Sequence, residues 1–400
     1  MKMIKRPDYI NTIEPFIGTP LVKILAGVRR CGKSTILAML ADMLKAEEIP
    51  DDHIIERRYN EIGYDGITAK DMSSDLRAAI SGKSKCFLLL DEVQETDGWE
   101  KVINDLLEST DCDIYVTGSN SKLMSAEIST YLTGRYVLIP VYTLSLREYL
   151  TFKGKSPEEA RALFDEYVRY GGFPIIGISS FDTRSAYQVV DGIYASVIIR
   201  DISMRHKIRN KELFDRVVRY IIENVGITFS ANSIVSYLKS EHRTMSVETI
   251  YNYLKWLGEA FIIYPCKRFD LQGKSVLKTQ EKYYLSDISF KYSQQGFDSK
   301  MLSAVLENIV YLEMKRRGYE VYIGKNNTKE IDFVGVLRDE RVYVQVCVKL
   351  PENSDREIAN LMELKDHYHK YVVCRDTLAS GNCNGIEIVS IADFLMADKW

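Results

Sequence analysis

Four stretches in the first 150 positions are predominantly apolar, rather than alternating regularly with polar residues. LVKILA, KCFLLL, DCDIYV and the segment Tyr136–Val141 carry the β-branched and aliphatic side chains of buried strands. After the first of them, KSTILAMLADML repeats its apolar positions at helical spacing, so a strand, a loop and an amphipathic helix follow in order. SPEEARALFDEYVRYGGFP is helical by period and stops at Gly171-Gly172-Phe173-Pro174. KELFDRVVRYIIENVG, SANSIVSYLKSEH and SVETIYNYLKWLGEA predict three short helices, the last two capped by Ser230 and Ser246. AFIIYPCKRFD and KTQEKYYLSD predict a hairpin about LQGK. The last hundred residues read as helix (MLSAVLENIVYLEMKRRG), three strands, helix (SDREIANLMELKDHY) and two strands.

The loop between the first strand and its helix is Gly27-Val28-Arg29-Arg30-Cys31-Gly32-Lys33-Ser34, which satisfies G-x-x-x-x-G-K-[ST] in a strand–loop–helix context. Backbone N–H groups of such a loop close on phosphate oxygens, and the helix start adds a favourable dipole. The candidate nucleotide site is therefore Gly27, Arg29, Arg30, Cys31, Gly32, Lys33, Ser34 and Thr35, with Lys33 on the β/γ-phosphates and Ser34 on Mg²⁺. Arg29 and Arg30 face a neighbouring subunit, DNA or solvent. The second apolar run ends in Asp91-Glu92: Asp91 would hold the magnesium through water, and Glu92 would polarise the attacking water. The third run ends at Ser119-Asn120, either a sensor of the γ-phosphate or a simple polar turn. Arg135, just before the fourth strand, is either a finger for a neighbour's ATP or a surface arginine.

Together these pieces resemble the AAA-type ATPases. More narrowly, GVRRCGKST, LLLDEVQ, VTGSNS, LTGRY, YVRYGGFP and EIDF…YVQVC resemble a prokaryotic family that joins an AAA-type domain to a C-terminal domain of unknown function. The resemblance covers nearly the whole chain. It implies an α/β fold with an AAA-type P-loop parallel sheet and helical lid, ATP and Mg²⁺ as ligands, and a homo-oligomeric ring or partial ring with Arg135 in the finger position. Gly-x-Pro within the lid resembles a motif that signal-transducing ATPases use to touch nucleotide, making Pro174 a further candidate. Gly-Gly-x-Pro is equally a helix terminator.

Three helices and a hairpin make a winged-helix plan, with Ser246–Gly258 as the recognition helix. From Arg205 to Lys282 there are 14 basic against eight acidic side chains, a net +6 in a chain whose total is −3. Arg243, Lys255, Lys267, Arg268 and Lys274, with Lys278 and Lys282, gather there as DNA phosphate contacts would. Tyr251, Tyr253 and Trp256 have the spacing of core residues, and winged helices also serve as protein-contact modules.

The final segment has the element order of the restriction-endonuclease-like core, whose site takes an acid from the first helix, an acid from strand two, and an acid or glutamine, then a lysine, from strand three. Glu307, Asp332 and Gln345 fill the first three places, but Cys347 stands where the lysine belongs. Lys349 shares the face of Cys347 with its root about 7 Å further on, at roughly 3.3 Å per residue. A thiol does not replace an ammonium at a phosphate, so the expectation is a degenerate nuclease fold used for binding. Cys347→Lys would restore nicking only were the rest of the site intact.

Composition narrows the setting. A chain of 400 residues predicts several domains: an ATPase core (1–150), a helical lid (151–208), a winged-helix domain (209–295) and a nuclease-like domain (296–400). Seven scattered cysteines without a C-x-x-C pair fit reduced cytoplasmic thiols better than disulfides or zinc. MKMIKRPDYINTIEPF lacks the apolar run of a signal peptide, and no stretch reaches membrane-spanning length. The reading is an ATP-driven motor or switch acting on DNA. Its alternatives are a signalling-type regulatory ATPase with protein partners and no DNA, and, furthest back, an ATP-dependent nuclease.

Overall fold

In the computed structural model, the residues described are 3–120, 123, 131–132, 134–273, 275–298, 301–327, 329–350, 356–375 and 381–400. They divide into two units, one running to Val141 and grouping with Glu259–Phe261, the other comprising Tyr142–Gly258 and Ile262–Trp400.

The first unit opens with helix α1 (Pro7–Ile13), strand β1 (Val22–Ala26) and helix α2 (Lys33–Ala46). Then come β2 (Ile54–Arg58), α3 (Ala69–Ile80), β3 (Cys86–Asp91), α4 (Trp99–Ser109), β4 (Cys112–Gly118) and β5 (Tyr136–Pro140). The strands form one parallel sheet in the order β2-β3-β4-β1-β5. β1 and β3 are buried along their whole length, as expected of parallel strands covered on both faces. β2 had no signal of its own: IIERR is too short and too charged to read as an interior strand, and it is an edge. Lys23 in buried β1 is accommodated by an ion pair with Asp113 of β4, which also accepts from Tyr115 Oη at 3.0 Å and from the Gly18 N–H at 2.6 Å.

The second unit begins with α5 (Leu146–Lys153), α6 (Ala160–Tyr170) and α7 (Thr183–Ser196). α6 stops at Gly171, which adopts φ +74° in a place where a Cβ would fall 1.9 Å from an Asp287 carboxylate oxygen. Helices α8 (Lys211–Glu223), α9 (Ala231–Ser240) and α10 (Val247–Glu259) follow, with Ser230 and Ser246 accepting from the backbone N–H three residues on, as expected. Tyr253 and Trp256 of α10 pack as the spacing predicts, Trp256 stacked 4.3 Å from His206, whereas Tyr251 is 58% exposed.

The hairpin is β6 (Ile263–Asp270) and β7 (Ser275–Leu285), and after α11 (Ser289–Gln295) comes α12 (Leu302–Arg316). The remainder is β8 (Glu320–Asn326), β9 (Lys329–Leu337), β10 (Glu340–Cys347), α13 (Arg356–Met362), β11 (His369–Cys374), β12 (Gly381–Cys383), β13 (Ile386–Ser390) and α14 (Ile391–Met396). One sheet contains all eight strands in the order β12-β13-β11-β10-β9-β8-β6-β7. The hairpin expected to be a wing thus joins the strands expected to be a separate domain, through parallel pairing of Arg268–Asp270 with Ile323–Lys325. An isolated two-stranded hairpin is marginal in water, and the added edge supplies the partner it needs.

Candidate functional site

β1 runs directly into the glycine-rich loop. Gly27 lies so close to the chain leaving β5 that a Cβ there would sit 2.0 Å from the Val141 carbonyl oxygen, so only glycine fits. Gly32, at φ +105°, turns the loop into α2, whose first amides have no side-chain cap. Lys33 is buried; its Nζ donates to the Gly27 and Val28 carbonyls at 3.0 and 3.2 Å and stands 3.7 Å from Glu92 Oε1. Uncapped amides and a buried ammonium at one helix start suit a polyphosphate. Cys31 is buried in the loop, and Ser34, Thr35 and Arg30 are exposed. Arg29 turns toward Glu95, 3.9 Å away.

The end of β3 completes the site. Glu92 adopts a left-handed conformation (φ +55°) and donates its N–H to Thr117 Oγ1 at 2.9 Å, while the Thr117 hydroxyl donates to Asp91 Oδ1. One buried hydroxyl on β4 therefore fixes both acids. The Gln94 amide donates to Glu92 Oε2 and lies 3.4 Å from Ser119 Oγ, and Ser119 also bonds to Glu92. Burial pushes the Glu92 carboxyl up, but the nearby Lys33 and Arg29 charges and the Gln94 and Ser119 hydrogen bonds outweigh it, so the group is held below the usual carboxylate range. A carboxylate kept ionised beside the phosphate loop can polarise water. Asn120 is buried next to Ser119. The Ser34 hydroxyl and Asp91 carboxylate are hard oxygen donors of the kind Mg²⁺ takes, and with nucleotide the ion would supply charge neutralisation at the phosphates.

Arg135 is elsewhere. Its carbonyl accepts the Val22 N–H at 3.0 Å, and its guanidinium reaches Asn104 Oδ1 and Glu108 Oε1 of α4 at 2.8 and 2.7 Å. It thus sits where β1 and β5 begin, whereas the phosphate loop sits where β1 ends. Sequence reading missed Thr117, whose one signal is a hydroxyl in an otherwise apolar strand end. It also missed Arg6, a buried arginine whose Nη1 donates to the Cys31 carbonyl at 2.8 Å and ties the start of α1 to the loop. Pro174 opens the short helix Pro174–Gly177 in the second unit, and the preceding glycines act as the helix stop.

A second constellation lies in the large sheet. Glu307 of α12 and Asp332 of β9 both act on Lys282 of β7, an almost fully buried lysine whose Nζ lies 3.4 Å from Glu307 Oε2 and 2.9 Å from Glu330 Oε1. Tyr284 Oη donates to Glu307 Oε2 at 3.2 Å, and Arg268 pairs with Glu330. The Asp332 N–H donates to Gln345 Oε1 at 3.3 Å, and Asp332 Oδ2 accepts the Val346 N–H at 2.8 Å. Burial draws the Lys282 ammonium down, but Glu307, Asp332 and Glu330 overcome it and raise its pKa. Glu330 is held below its ordinary value by Lys282 and Arg268 against burial, while burial pushes Glu307 above it.

The lysine that the fold brings to these acids is therefore Lys282, twelve positions beyond the β6 end, and Lys349 lines a cavity with Arg161 and Arg375. Cys347 is buried in the core against Cys374, so a lysine at 347 would bury an ammonium rather than repair a site. Among the described residues no group of three or more His, Cys, Asp or Glu side chains is arranged to hold a metal ion. Of the basic residues grouped by sequence, Arg268 and Lys282 serve Glu330, and Arg243 pairs with Glu212 at 2.8 Å. Lys255 and Lys267 are exposed, and Lys274 lies outside the described residues. Among the described residues no helix is long and apolar enough to cross a membrane.

Comparison with known proteins accords with this geometry. Residues 19–150 match the family described as an AAA domain, and residues 161–301 match a domain of unknown function (DUF8612). A Haemophilus influenzae protein described as uncharacterized is 34% identical over 398 residues, spanning 98% of this chain and 99% of that one. A second uncharacterized protein, from Methanocaldococcus jannaschii, is 31% identical over 90% of this chain and 82% of its own length. Among solved structures, a Walker-type ATPase of Pyrococcus abyssi aligns with a TM-score of 0.50 at 17% identity, over 72% of this chain and 95% of that one, a likeness of fold. With a complete phosphate loop, an acid pair fixed beside it and a full-length relative at this identity, the chain belongs to the AAA-type P-loop ATPase family whose members carry an AAA domain followed by this domain of unknown function.

Proposed function

We propose that the chain is a Mg²⁺-dependent ATPase that works as a homo-oligomeric ring or partial ring and couples its nucleotide state to contact with DNA. The observation that carries the catalytic half is the cluster of Lys33, Asp91, Glu92 and Thr117 at one end of the parallel sheet. Lys33 leaves its two carbonyl acceptors for the β/γ-phosphates, Ser34 and Asp91 hold the metal, and Glu92, ionised and aimed by Gln94 and Ser119, orients the attacking water. Asn120 follows the sensor position. Arg135 stands at the far end of a strand that at about 3.3 Å per residue is roughly 16 Å long, so it serves a neighbouring subunit's nucleotide and not its own. Pro174, in the lid, reports the nucleotide to the rest of the chain.

The DNA half rests on the basic 205–282 stretch, where Lys255 and Lys267 remain exposed. A nucleotide switch acting on protein partners is the second reading. It is favoured by Arg268, a poorer phosphate contact than its sequence suggests, since its side chain is only 16% exposed and is engaged by Glu330.

Steady-state ATP hydrolysis with and without single-stranded, duplex and branched DNA tests both halves. Lys33→Ala is expected to abolish nucleotide binding, and Glu92→Gln to bind ATP yet turn over at least a hundredfold more slowly. Tight binding by Lys33→Ala would overturn the phosphate-loop assignment. Turnover indifferent to every DNA at low salt would move the reading to protein partners.

A further inference from the structure

Three parallel strands of the second unit, β10, β11 and β13, end in register at Cys347, Cys374 and Ser390. Ligands in sheets of parallel strands gather beyond the carboxyl ends of the strands. There a cavity of about 420 Å³ opens between the strand ends and α6, lined among others by Arg161, Lys349 and Arg375. A second cavity of about 880 Å³ continues along α6 and shares Asp165 and Arg375 with the first. It adds Lys153, Lys155 and Arg169, and its walls carry the rings of Phe181, 38% exposed, and Phe297, 45% exposed.

Six cations and two carboxylates, Asp165 and Glu166, line the two cavities together. Counting the outlying partners Glu159 and Asp393, the balance is still positive, in a chain whose total is −3. The existing pairs are Lys153–Glu166 at 3.0 Å, Arg375–Asp165 at 2.7 Å, Lys155–Glu159 at 2.7 Å and Arg161–Asp393. The last three are solvent-exposed and contribute only about 0–1 kcal/mol, so they exchange readily for phosphate, whereas Lys153, 17% exposed and also donating to the Ser179 carbonyl, is a fixed positive charge in the wall. Arg169 lies 4.7 Å from the Phe297 ring centre, so a base stacked on that ring would also meet a guanidinium.

We propose that this groove along α6 binds single-stranded nucleic acid. A cationic track supplies the phosphate contacts, and exposed rings offer sequence-tolerant stacking to unpaired bases, which a duplex keeps stacked inside. This deepens the nucleic-acid half of the function proposed above but places the contact outside the 209–295 region, and it needs no ATP hydrolysis.

The test is fluorescence anisotropy of labelled oligo-dT and of a matched duplex with the full chain, without nucleotide, across a salt series. Oligo-dT is expected to bind more tightly than the duplex. Arg169→Ala/Lys349→Ala/Arg375→Ala should lower the log–log salt slope by about two, at roughly 0.7 per phosphate contact. Phe181→Ala/Phe297→Ala should weaken oligo-dT binding about tenfold or more while leaving the slope unchanged. Circular dichroism of each variant establishes that it is folded. Equal or tighter duplex binding overturns the proposal, as does a loss caused by the charge variants with none from the ring variants, the signature of a site for any acidic polymer. Loss on Lys255→Ala/Lys267→Ala instead would move the contact to the hairpin region. Absence of oligonucleotide binding sinks the groove but leaves the ATPase assignment standing, since that is read by hydrolysis.

Discussion

Thr117→Val isolates the hydroxyl that organises the acid pair. Valine nearly matches threonine in shape, so the fully buried site is not hollowed. Two interactions disappear: the Glu92 N–H loses its acceptor at 2.9 Å, and Asp91 loses a donor. A buried N–H left unsatisfied costs about 1–3 kcal/mol and a hydrogen bond to a charged group contributes about 1.5–3 kcal/mol, so with imperfect additivity the local loss is about 3 kcal/mol. At about 1.4 kcal/mol per factor of ten, that is a hundredfold or greater rise in local opening. Hydrogen exchange followed by mass spectrometry on a peptide covering residues 91–95 should show that loss of protection. ATP turnover should fall at least tenfold, because Glu92, no longer fixed in its left-handed conformation, drifts from the nucleotide. Thr117→Ser keeps the hydroxyl and should retain most of both. Valine with native protection and native turnover would refute the view that this hydroxyl holds the site.

Arg135→Ala should reduce turnover at least a hundredfold with nucleotide affinity within about twofold, given what a finger arginine contributes. Mixing it with Lys33→Ala should restore part of the activity, and unchanged turnover would remove its role. Lys282→Met should destabilise the second unit by about 3–5 kcal/mol by stranding buried carboxylates, read by urea unfolding on Trp256 and Trp400 fluorescence; an unshifted midpoint would show that Lys282 does not hold them. For Glu92, whose folded pKa lies below its ordinary 4.5, the stabilisation is present above that value and is lost as pH falls through the lowered one. The stability difference between wild type and Glu92→Gln should therefore be flat from neutral pH to about pH 5 and shrink only below 4.5, and a decline beginning near neutrality would contradict the assignment.

Features set by local chemistry were legible along the chain. Predominantly apolar runs without regular alternation made β1, β3 and β4 legible because strands covered on both faces need no polar alternation. The phosphate loop was legible because anion binding by backbone demands glycine at fixed spacing. The helices of the second unit were legible from their period and serine caps. Contacts between distant parts of the chain were not. Thr117 lies 26 residues from Asp91 and meets it because β4 pairs with β3. Lys282 reaches Glu307, Glu330 and Asp332 because the hairpin adds to the edge of the large sheet, an event governed by β6 pairing with β8 and not by any motif. Read along the chain, Lys282 and Arg268 looked like a basic surface and Cys347 like a lost lysine. Folded, the first two neutralise buried acids and the third is core, because strand order, which no single stretch encodes, decides which charges become neighbours.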